Sequence, residues 1–335
     1  MKYGIWNTAL PDSAAVDALQ QAGYSPLTAR VLAGRGCGTP QQAQELLCAD
    51  APLFDPFLLR EMDRAVQTAR QALQLGQRIA VFGDYDVDGI TATCLLTDFL
   101  RGMGADCVVH IPGRLEEGYG LNPLAIDTLK KQGVELIVTV DCGITANQEA
   151  QLCKELGIDL VITDHHVCKS ELPQAAALVD PHRKDQPQPV TEMAGVGVAF
   201  KLAAAIEGDQ EKLLDQYCDF LCLGTVADVM PLTGENRTMV ARGLRALANP
   251  KRVGIAALMA ECAVQKGPVT AGTIGYTLAP RINAAGRMGE VHVATELFLT
   301  HDAARAVELA GTLCRLNRKR QEIEGSIYQR AVAML

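Results

Sequence analysis

The stretch IAVFGDYDVDG, residues 79–89, joins a short apolar run to carboxylates at alternate positions. The run IAVF predicts a buried strand, because it is short, continuous and apolar. Asp84, Asp86 and Asp88 then leave the end of that strand together. Like charges this close disfavour joint ionisation, and a divalent metal held by oxygen ligands is the usual compensation. The stretch therefore predicts a strand of an α/β sheet that ends in a metal site.

Two further polar clusters follow apolar runs of the same kind. Asp141 comes directly after LIVTV, and the triplet Asp164, His165, His166 comes directly after LVIT. In open parallel sheets, ligands bind beyond the carboxyl ends of the strands. We therefore expect the three clusters to face one place. Imidazole mixed with carboxylates is a ligand set that suits Mn²⁺.

Strand and helix patterns alternate through the middle of the chain. The predicted strands lie near 78–83, 106–111, 134–140, 158–163 and 176–179, and predicted helices at 89–102, 122–132 and 146–156 connect successive strands. This alternation is typical of α/β proteins with a mainly parallel sheet, flanking helices and right-handed crossovers.

Helical patterns flank this sheet on both sides. We divide the chain into a helical N-terminal region at 1–75, a parallel α/β core at 76–190, a mostly helical second part at 191–302 and a connecting helix at 303–335. The basis is apolar residues spaced three or four apart. The last pattern reaches Leu335 without a helix stop, which predicts a chain truncated inside a helix.

Composition narrows the class of protein. With 335 residues, 48% of them hydrophobic, the chain can bury a substantial core. No apolar stretch approaches the roughly 20 residues of a membrane helix, and Met1 to Pro11 lack the features of a signal peptide. We expect a cytoplasmic protein without membrane contact. The net charge of -8 argues against a basic surface for duplex DNA, although bound cations can invert the sign of an acidic cluster.

A further acid, Asp228, lies in the sequence GTVADVMP at 224–231. It is predicted to end a helix, where the negative end of the helix dipole disfavours a carboxylate. A metal would compensate it. Simpler interpretations exist for other candidates: Asp141 alone could be a turn residue before Gly143, and the Asp-His-His triplet could be a helix cap with solvated histidines.

The sequence PRINAAGRMG at 280–289 is the main candidate for binding phosphate. The guanidinium groups of Arg281 and Arg287, the amide of Asn283 and backbone amides near Gly286 match phosphate oxygens. The alternative is an ordinary turn with surface arginines. Arg114, which precedes the sequence GYGL, is another candidate for the same task.

A calcium-binding loop also begins with alternate acids. That loop needs Glu at about its twelfth position and lies between helices, whereas Leu95 occupies the position here and a strand precedes. No phosphate-binding Gly-x-x-x-x-Gly-Lys-Ser/Thr loop and no serine nucleophile elbow competes with the acidic clusters. Together, the acidic and histidine clusters predict a site for two divalent ions, which would clamp a phosphate and lower the pKa of a bridging water. The predicted chemistry is hydrolysis of a phosphoester or phosphoanhydride.

The motifs GDYDVDG, VDCGI, TDHH, GTVADV and PRINAAGRMG, in this order, resemble those of the RecJ branch of the DHH phosphoesterase family. The resemblance covers nearly the whole chain. It implies a single-stranded-DNA exonuclease of DNA repair and recombination that acts from the 5′ end and uses Mn²⁺ or Mg²⁺. It also implies partners that supply single strands, such as a helicase or a single-strand-binding protein.

The resemblance carries roles over to individual residues. It implies metal binding by Asp84, Asp86, Asp88, Asp141, His165 and Asp228; contact of His166 with the scissile phosphate or a water on the metal; and phosphate binding by Arg281 and Arg287. Related enzymes often carry His where this chain has Phe82, which gives Asp84 more weight as a ligand and leaves the coordination of one metal open.

Family enzymes continue beyond the connecting helix into a DHH-associated domain, and many RecJ proteins add an oligonucleotide-binding fold. We therefore expect this chain to be a catalytic core. Two alternatives stay open on the sequence. One is a DHH phosphodiesterase for short oligonucleotides or cyclic dinucleotides, and the other is a catalytically silent nucleic-acid-binding module, which predicts loss of ligand residues.

Overall fold

The computed structural model describes residues 10–49, 51–113, 118, 120–187, 190, 192–265 and 267–334. The elements in chain order are α1 (Ser13–Gln21), α2 (Pro26–Gly34), α3 (Pro40–Cys48), a 3₁₀ turn (Pro56–Leu58), α4 (Met62–Leu75), β1 (Arg78–Phe82), α5 (Val87–Gly102), β2 (Cys107–His110), α6 (Pro123–Lys131), β3 (Val134–Val140), α7 (Asn147–Glu155), β4 (Asp159–Thr163), β5 (Ala177–Val179), α8 (Gly195–Glu207), α9 (Gln210–Ala227), α10 (Gly234–Leu247), α11 (Val253–Glu261), α12 (Ala271–Thr273), a π-helical turn (Ile274–Leu278), α13 (Ala279–Arg287), α14 (Val291–Leu299) and α15 (Ala303–Ala333).

The strands form one parallel sheet in the order β2-β1-β3-β4-β5. The predicted α/β class with a parallel sheet is confirmed. The chain goes from β1 to β2 toward one edge of the sheet, and from β3 to β4 and β5 toward the other edge. The strand order therefore reverses between β1 and β3. Such a switch point opens a crevice at the carboxyl ends of the strands. Asp84 and Asp141 follow β1 and β3 and therefore lie at that crevice.

Apolar side chains cover both faces of the sheet. In β3, every residue except Glu135 is buried, which is the pattern of a strand packed on both sides. One face packs against α6 and α7 through residues such as Phe82, Ile126, Leu129 and Cys153. Helix α4 is capped at its C-terminal end by Gly76, whose φ of 64° is left-handed backbone that glycine adopts without strain.

The described residues form two compact units. The first ends at Pro52 and includes Leu232–Thr238, and the second comprises Leu53–Pro231 together with Met239–Leu335. The first unit contains α1 to α3, whose small core is built from Leu19, Ala29, Leu32, Cys37 and Ala43. The second unit contains the sheet and the candidate site. The domain boundaries given by the sequence stay predictions.

Beyond β5 the described chain is helical, from α8 to α15. Helix α15 is 31 residues long, and its first half packs against α11, α13 and α14. Within the described ranges, none of the helices has the combination of length and apolarity that crossing a bilayer requires.

Candidate metal centre

An aspartate follows each of four neighbouring strands at the same edge of the sheet. Asp141, Asp164 and Asp180 come directly after β3, β4 and β5, and Asp84 lies two residues after β1. All four are buried. Since the carboxyl ends of parallel strands share one edge, the sheet itself gathers these acids into the crevice at the switch point.

The other two acids of the first motif belong to the beginning of α5. Asp86 is the N-cap, and its Oδ1 accepts a hydrogen bond from the Gly89 amide at 3.0 Å. Asp88 lies in the first turn, where the positive end of the helix dipole favours a carboxylate. Its Oδ2 and Oδ1 accept hydrogen bonds from the amides of Gly195 and Val196 at 2.6 and 2.9 Å. Asp88 therefore also caps α8, which its position in the sequence did not predict.

His165 stands at the centre of the acids. Its Nε2 lies 3.0 Å from Oδ1 of Asp141, 3.7 Å from Oδ2 of Asp88 and 3.8 Å from Oδ2 of Asp228. Asp228 reaches this point from the C-cap of α9. A hydrogen bond with the backbone of Met193 holds the imidazole ring.

Ligand atoms of three residue groups lie within 4.8 Å of one another: Asp84, Asp86 and Asp141; Asp88, His165 and Asp228; and Asp141, His165 and His166. These groups contain every residue that the sequence proposed as a metal ligand. Asp141 and His165 each belong to two groups, so the groups form one continuous centre. Asp141 and His165 are buried within this centre, which favours the metal interpretation over a solvated turn residue or a solvated histidine.

Burial and mutual repulsion disfavour the ionised form of several of these acids. Burial, followed by the charges of neighbouring aspartates, raises the pKa of Asp88 and of Asp141 well above the usual range. Burial and the charge of Asp86 raise the pKa of Asp228 to about 6. A bound cation would reverse these shifts, because it favours the ionised carboxylates.

The two histidines differ in charge. Burial, together with the neighbouring His166, lowers the pKa of His165 to about 4, so its imidazole is neutral near pH 7 and can bind a metal. A hydrogen bond from Nδ1 of His166 to Oδ1 of Asp164, 2.7 Å long, raises the pKa of His166 to about 9. His166 is therefore a cation near neutral pH, and it is half exposed at the mouth of the site.

The donor set fits a divalent ion. Oδ1 of Asp141 is buried and accepts no hydrogen bond from the residues that the structure describes. Asp141 also has φ of 59°, in the left-handed region that few residues other than glycine adopt. Local strain and an unsatisfied buried oxygen are the usual marks of a functional site. Hard oxygen ligands with one imidazole suit Mn²⁺ or Mg²⁺.

The expectations for residues 280–289 need a correction. The segment is not a turn, because Ala279–Arg287 forms α13, and the amides of Met288 and Glu290 donate to carbonyls of this helix. Backbone amides near Gly286 are thus not available to phosphate. Gly286 instead permits close packing: a Cβ there would lie 2.3 Å from the carbonyl oxygen of Tyr85.

The predicted phosphate ligands are placed differently from one another. Nη1 of Arg281 donates to the Thr277 carbonyl at 2.7 Å, so Arg281 braces the preceding turn. Oδ1 of Asn283 accepts from the amide of Val87 at 3.1 Å and ties α13 to the first acidic motif. Arg287 is exposed beside the site. Arg114 lies outside the described residues.

Two buried acids at the site have positions or contacts that the sequence did not reveal: Asp164 was placed in a strand-end cluster without a role of its own, and Asp180 was missed. Oδ1 of Asp164 accepts from the amides of His165 and His166, and its Oδ2 accepts from the amide of Ile144 at 2.9 Å. Burial raises the pKa of Asp180 to about 7. Asp180 directly follows a predicted strand, the same feature that identified Asp141 and the triplet of Asp164, so its strand end could have revealed it. Phe82, at the position where the resemblance implied a His, is buried, and its ring stacks on that of His110 at 5.2 Å.

Comparisons with known proteins agree with this architecture. The family model for the DHH family, N-terminal domain, matches residues 78–225. The single-stranded-DNA-specific exonuclease RecJ of Bacillus subtilis (strain 168) is 39% identical over 332 residues, which are 98% of this chain and 42% of that protein. The chain thus spans less than half the length of this relative.

Solved structures are also similar. A crystal structure of exonuclease RecJ bound to manganese matches with a TM-score of 0.76 and 37% identity over 84% of this chain and 72% of that chain. A crystal structure of RecJ in complex with Mn²⁺ from Thermus thermophilus matches with a TM-score of 0.80 and 32% identity over 96% of this chain and 46% of that chain. Since this identity extends over most of the chain and over 72% of the manganese-bound RecJ chain, the chain belongs to the DHH family, in its RecJ branch.

Proposed function

We propose that this chain is the catalytic core of a metal-dependent nuclease that degrades single-stranded DNA from its 5′ end with Mn²⁺ or Mg²⁺. The observation that carries the proposal is the continuous centre of carboxylates and imidazole, whose ligand atoms lie within 4.8 Å of one another in each group. The RecJ relatives, named as single-stranded-DNA-specific exonucleases or solved with Mn²⁺, support the choice of substrate and metal.

The proposed ligands are the residues already gathered by the sheet edge and by the ends of α5 and α9: Asp84, Asp86, Asp88, Asp141, His165 and Asp228. The three overlapping groups, which are joined through Asp141 and His165, are consistent with two ions. When bound, such ions polarise a phosphate and make water nucleophilic near neutral pH. The neutral imidazole of His165 stays available as a ligand, because its low pKa prevents competition by protons.

His166 is proposed to bind the scissile phosphate. Its protonated ring has the charge that attracts a phosphate oxygen, and Asp164 fixes its orientation through Nδ1. We infer that the other ring nitrogen, Nε2, is the donor to the substrate. A carboxylate that orients a histidine in this way is a recurrent feature of hydrolytic sites.

The activity of the whole protein, its polarity and its partners are part of the proposal, since the relatives extend beyond the matched region. We infer that a helicase or single-strand-binding protein supplies the strand and that the protein works in the cytoplasm. The intact ligand set supports an enzyme over the catalytically silent alternative.

The direct test compares Asp141→Asn with Asp127→Asn, which changes an exposed acid on α6 that pairs with Lys131. Single-stranded DNA labelled at its 3′ end or at its 5′ end is incubated with each protein in Mn²⁺ or in chelator. We expect the parent and Asp127→Asn to release labelled mononucleotide from the 5′-labelled strand first, and Asp141→Asn to be slower by at least about 100-fold, the upper cost of disturbing a ligand's partner.

Full digestion by Asp141→Asn, or digestion in chelator, would refute the metal-dependent mechanism. Early release from the 3′ label would overturn the polarity. Dinucleotides and cyclic dinucleotides are assayed in parallel, and faster turnover of these than of long strands would favour the small-substrate alternative.

A further inference from the structure

A groove beside the metal centre is lined by two residues that the sequence predicted to bind phosphate, Asn283 and Arg287, and by side chains that have no role so far. It has a volume of about 570 Å³, within the range of pockets that hold small ligands. We name it the α9–α13 groove, and the residues important here are Val226, Val229, Tyr276, Asn283, Arg287 and Arg320.

The groove adjoins the centre on two sides. Val229 follows Asp228 directly in the chain, and Asp228 is one of the acids that surround His165. On the other side, Asn283 lines the groove and accepts the amide hydrogen of Val87, which stands between Asp86 and Asp88. A ligand chain leaving the metal centre would therefore enter this groove next.

Two large apolar side chains are exposed at the groove. Tyr276 is 86% exposed and Val229 is 85% exposed, although large apolar groups usually gain by burial. Val229 also has φ of 59°, a strained conformation for a β-branched residue. Tyr276 projects from the π-helical turn, in which the Ala279 amide donates to the Ile274 carbonyl five residues earlier. Single π-helical turns occur often at functional sites.

The groove also contains cations that suit phosphate. Arg287 is exposed at the end of α13, and no described carboxylate pairs with it. Arg320 pairs with the exposed Glu324, at 2.9 Å, and this is a pairing that a phosphate can replace. A ring face beside guanidinium groups is the combination that binds single-stranded nucleic acid without reading its sequence.

We infer that the α9–α13 groove binds a nucleotide of the single strand next to the scissile phosphate, with its base stacked on Tyr276 and its phosphate held by Arg287. This inference rests on the proposed nuclease function of the adjacent centre. Because every base has a π-face, the subsite accepts any sequence. Duplex DNA fits it poorly, since paired bases are not free to stack on a protein ring.

The test uses two variants of the groove, Tyr276→Ala and Tyr276→Phe. The matched control is Tyr328→Ala, which removes an exposed tyrosine of α15 that does not line the groove. Affinity is measured by fluorescence anisotropy in Mn²⁺ with an oligothymidylate that carries a 3′ dye and phosphorothioate linkages to slow its hydrolysis. Stacking is measured by the quenching of 2-aminopurine placed in turn at each of the first few positions. Circular dichroism checks that each variant is folded.

We expect Tyr276→Ala to bind about tenfold more weakly, which corresponds to about 1.4 kcal/mol and to one lost base stack. Quenching at one position should disappear in Tyr276→Ala and persist in Tyr276→Phe and Tyr328→Ala. With a cleavable strand, KM of Tyr276→Ala should rise by a similar factor with kcat little changed, because the lost contact is uniform binding.

Each contrary result has a defined meaning. If the parent digests DNA and Tyr276→Ala matches it in affinity and quenching, the inference fails and the nuclease proposal stands. If the parent binds with Tyr276-dependent quenching but does not digest DNA in Mn²⁺, the subsite stands and the nuclease proposal fails. Equal loss in Tyr276→Phe would show that the hydroxyl group, not the ring, makes the contact, which overturns stacking. If the parent fails to bind the strand at all, the groove is not a nucleic-acid site.

Discussion

His165 and His166 are neighbours in the chain, yet the fold gives them opposite charges. Burial keeps His165 neutral by lowering its pKa to about 4, whereas the hydrogen bond to Asp164 keeps His166 protonated by raising its pKa to about 9. Titratable groups whose environments separate their pKa values commonly have different roles in a reaction. Here the neutral ring suits a metal and the charged ring suits a phosphate.

Asp164→Asn tests this division of roles. Without the carboxylate, the pKa of His166 should fall from about 9 toward its ordinary value of 6.5, because an amide no longer stabilises the protonated ring. NMR titration of the metal-free protein measures this shift, with the exposed His292 as the internal control. Activity in Mn²⁺ should fall about 10- to 100-fold. A His166 that still titrates near 9 would contradict the role assigned to Asp164.

At the scale of residues, the sequence predicts most of the centre because one rule suffices. Asp84, Asp141 and His165 follow apolar runs, and parallel strands bring their ends together. Asp164 and Asp180 obey the same rule. The hydrogen bond by which Asp164 orients His166 is visible only in the structure. The contact of Asn283 with Val87 joins residues far apart in the chain, and no local pattern contains it.

At the scale of elements, α5, α8 and α9 meet at a point beside the centre where Gly224 leaves room for Asp88. A Cβ at Gly224 would lie 2.6 Å from Oδ1 of Asp88 and 2.7 Å from both Oγ1 of Thr91 and Cγ1 of Val196. None of these atoms can move away easily, because Asp88 caps α8 and Thr91 is buried. The packing of three helices is thus tied to the position of one ligand.

Gly224→Ala should therefore lower the free energy of unfolding by about 1–3 kcal/mol, the typical cost of overpacking. It should also weaken Mn²⁺ binding, since Asp88 is displaced. Gly325→Ala is the matched control: this glycine lies in α15 with open space around it, and alanine there should stabilise the helix by up to about 1 kcal/mol. Urea denaturation and Mn²⁺ titration measure both effects. Equal stability of the two variants would show that the junction adapts.

The elements differ in how well the sequence predicts them. Each observed strand lies within its predicted range. The reason is that each strand is a short run rich in β-branched residues, bounded by residues that favour turns. Residues 280–287 are helical although they include Gly286, because this helix packs closely against the first acidic motif and Gly286 permits that contact. Tertiary packing overrides the low helix propensity of glycine, and packing of this kind is not visible in a local sequence.

At the scale of the whole molecule, several carboxylates converge in a chain whose net charge is already -8. Without a cation, their ionisation should cost stability as pH rises. His166 acts in the same direction: its raised pKa means that its stabilising contribution is complete below about pH 6.5 and is lost as pH rises through about 9. Burial raises the pKa of Asp180 to about 7, which adds to this trend.

The thermal midpoint in chelator should therefore fall between about pH 6.5 and 9, and Mn²⁺ should raise it by an amount that grows with pH, because the metal competes with protons for the same ligands. Mn²⁺ at 100 times its Kd stabilises by about 2.7 kcal/mol. Differential scanning calorimetry measures both curves. Asp141→Asn should bring the two curves together and Asp127→Asn should not; curves that coincide in the parent would argue against a metal centre.

The ligands of the centre are distributed along the chain from Asp84 to Asp228, with sheet crossovers and helices between them. Contacts between such distant residues form only when the overall topology is complete. In a nascent or partly unfolded polypeptide, the ligand residues are consequently far apart in space and do not form the metal centre. The proposed nuclease activity should then arise in a single step together with the native structure, so that unfinished copies of the protein would not cut DNA.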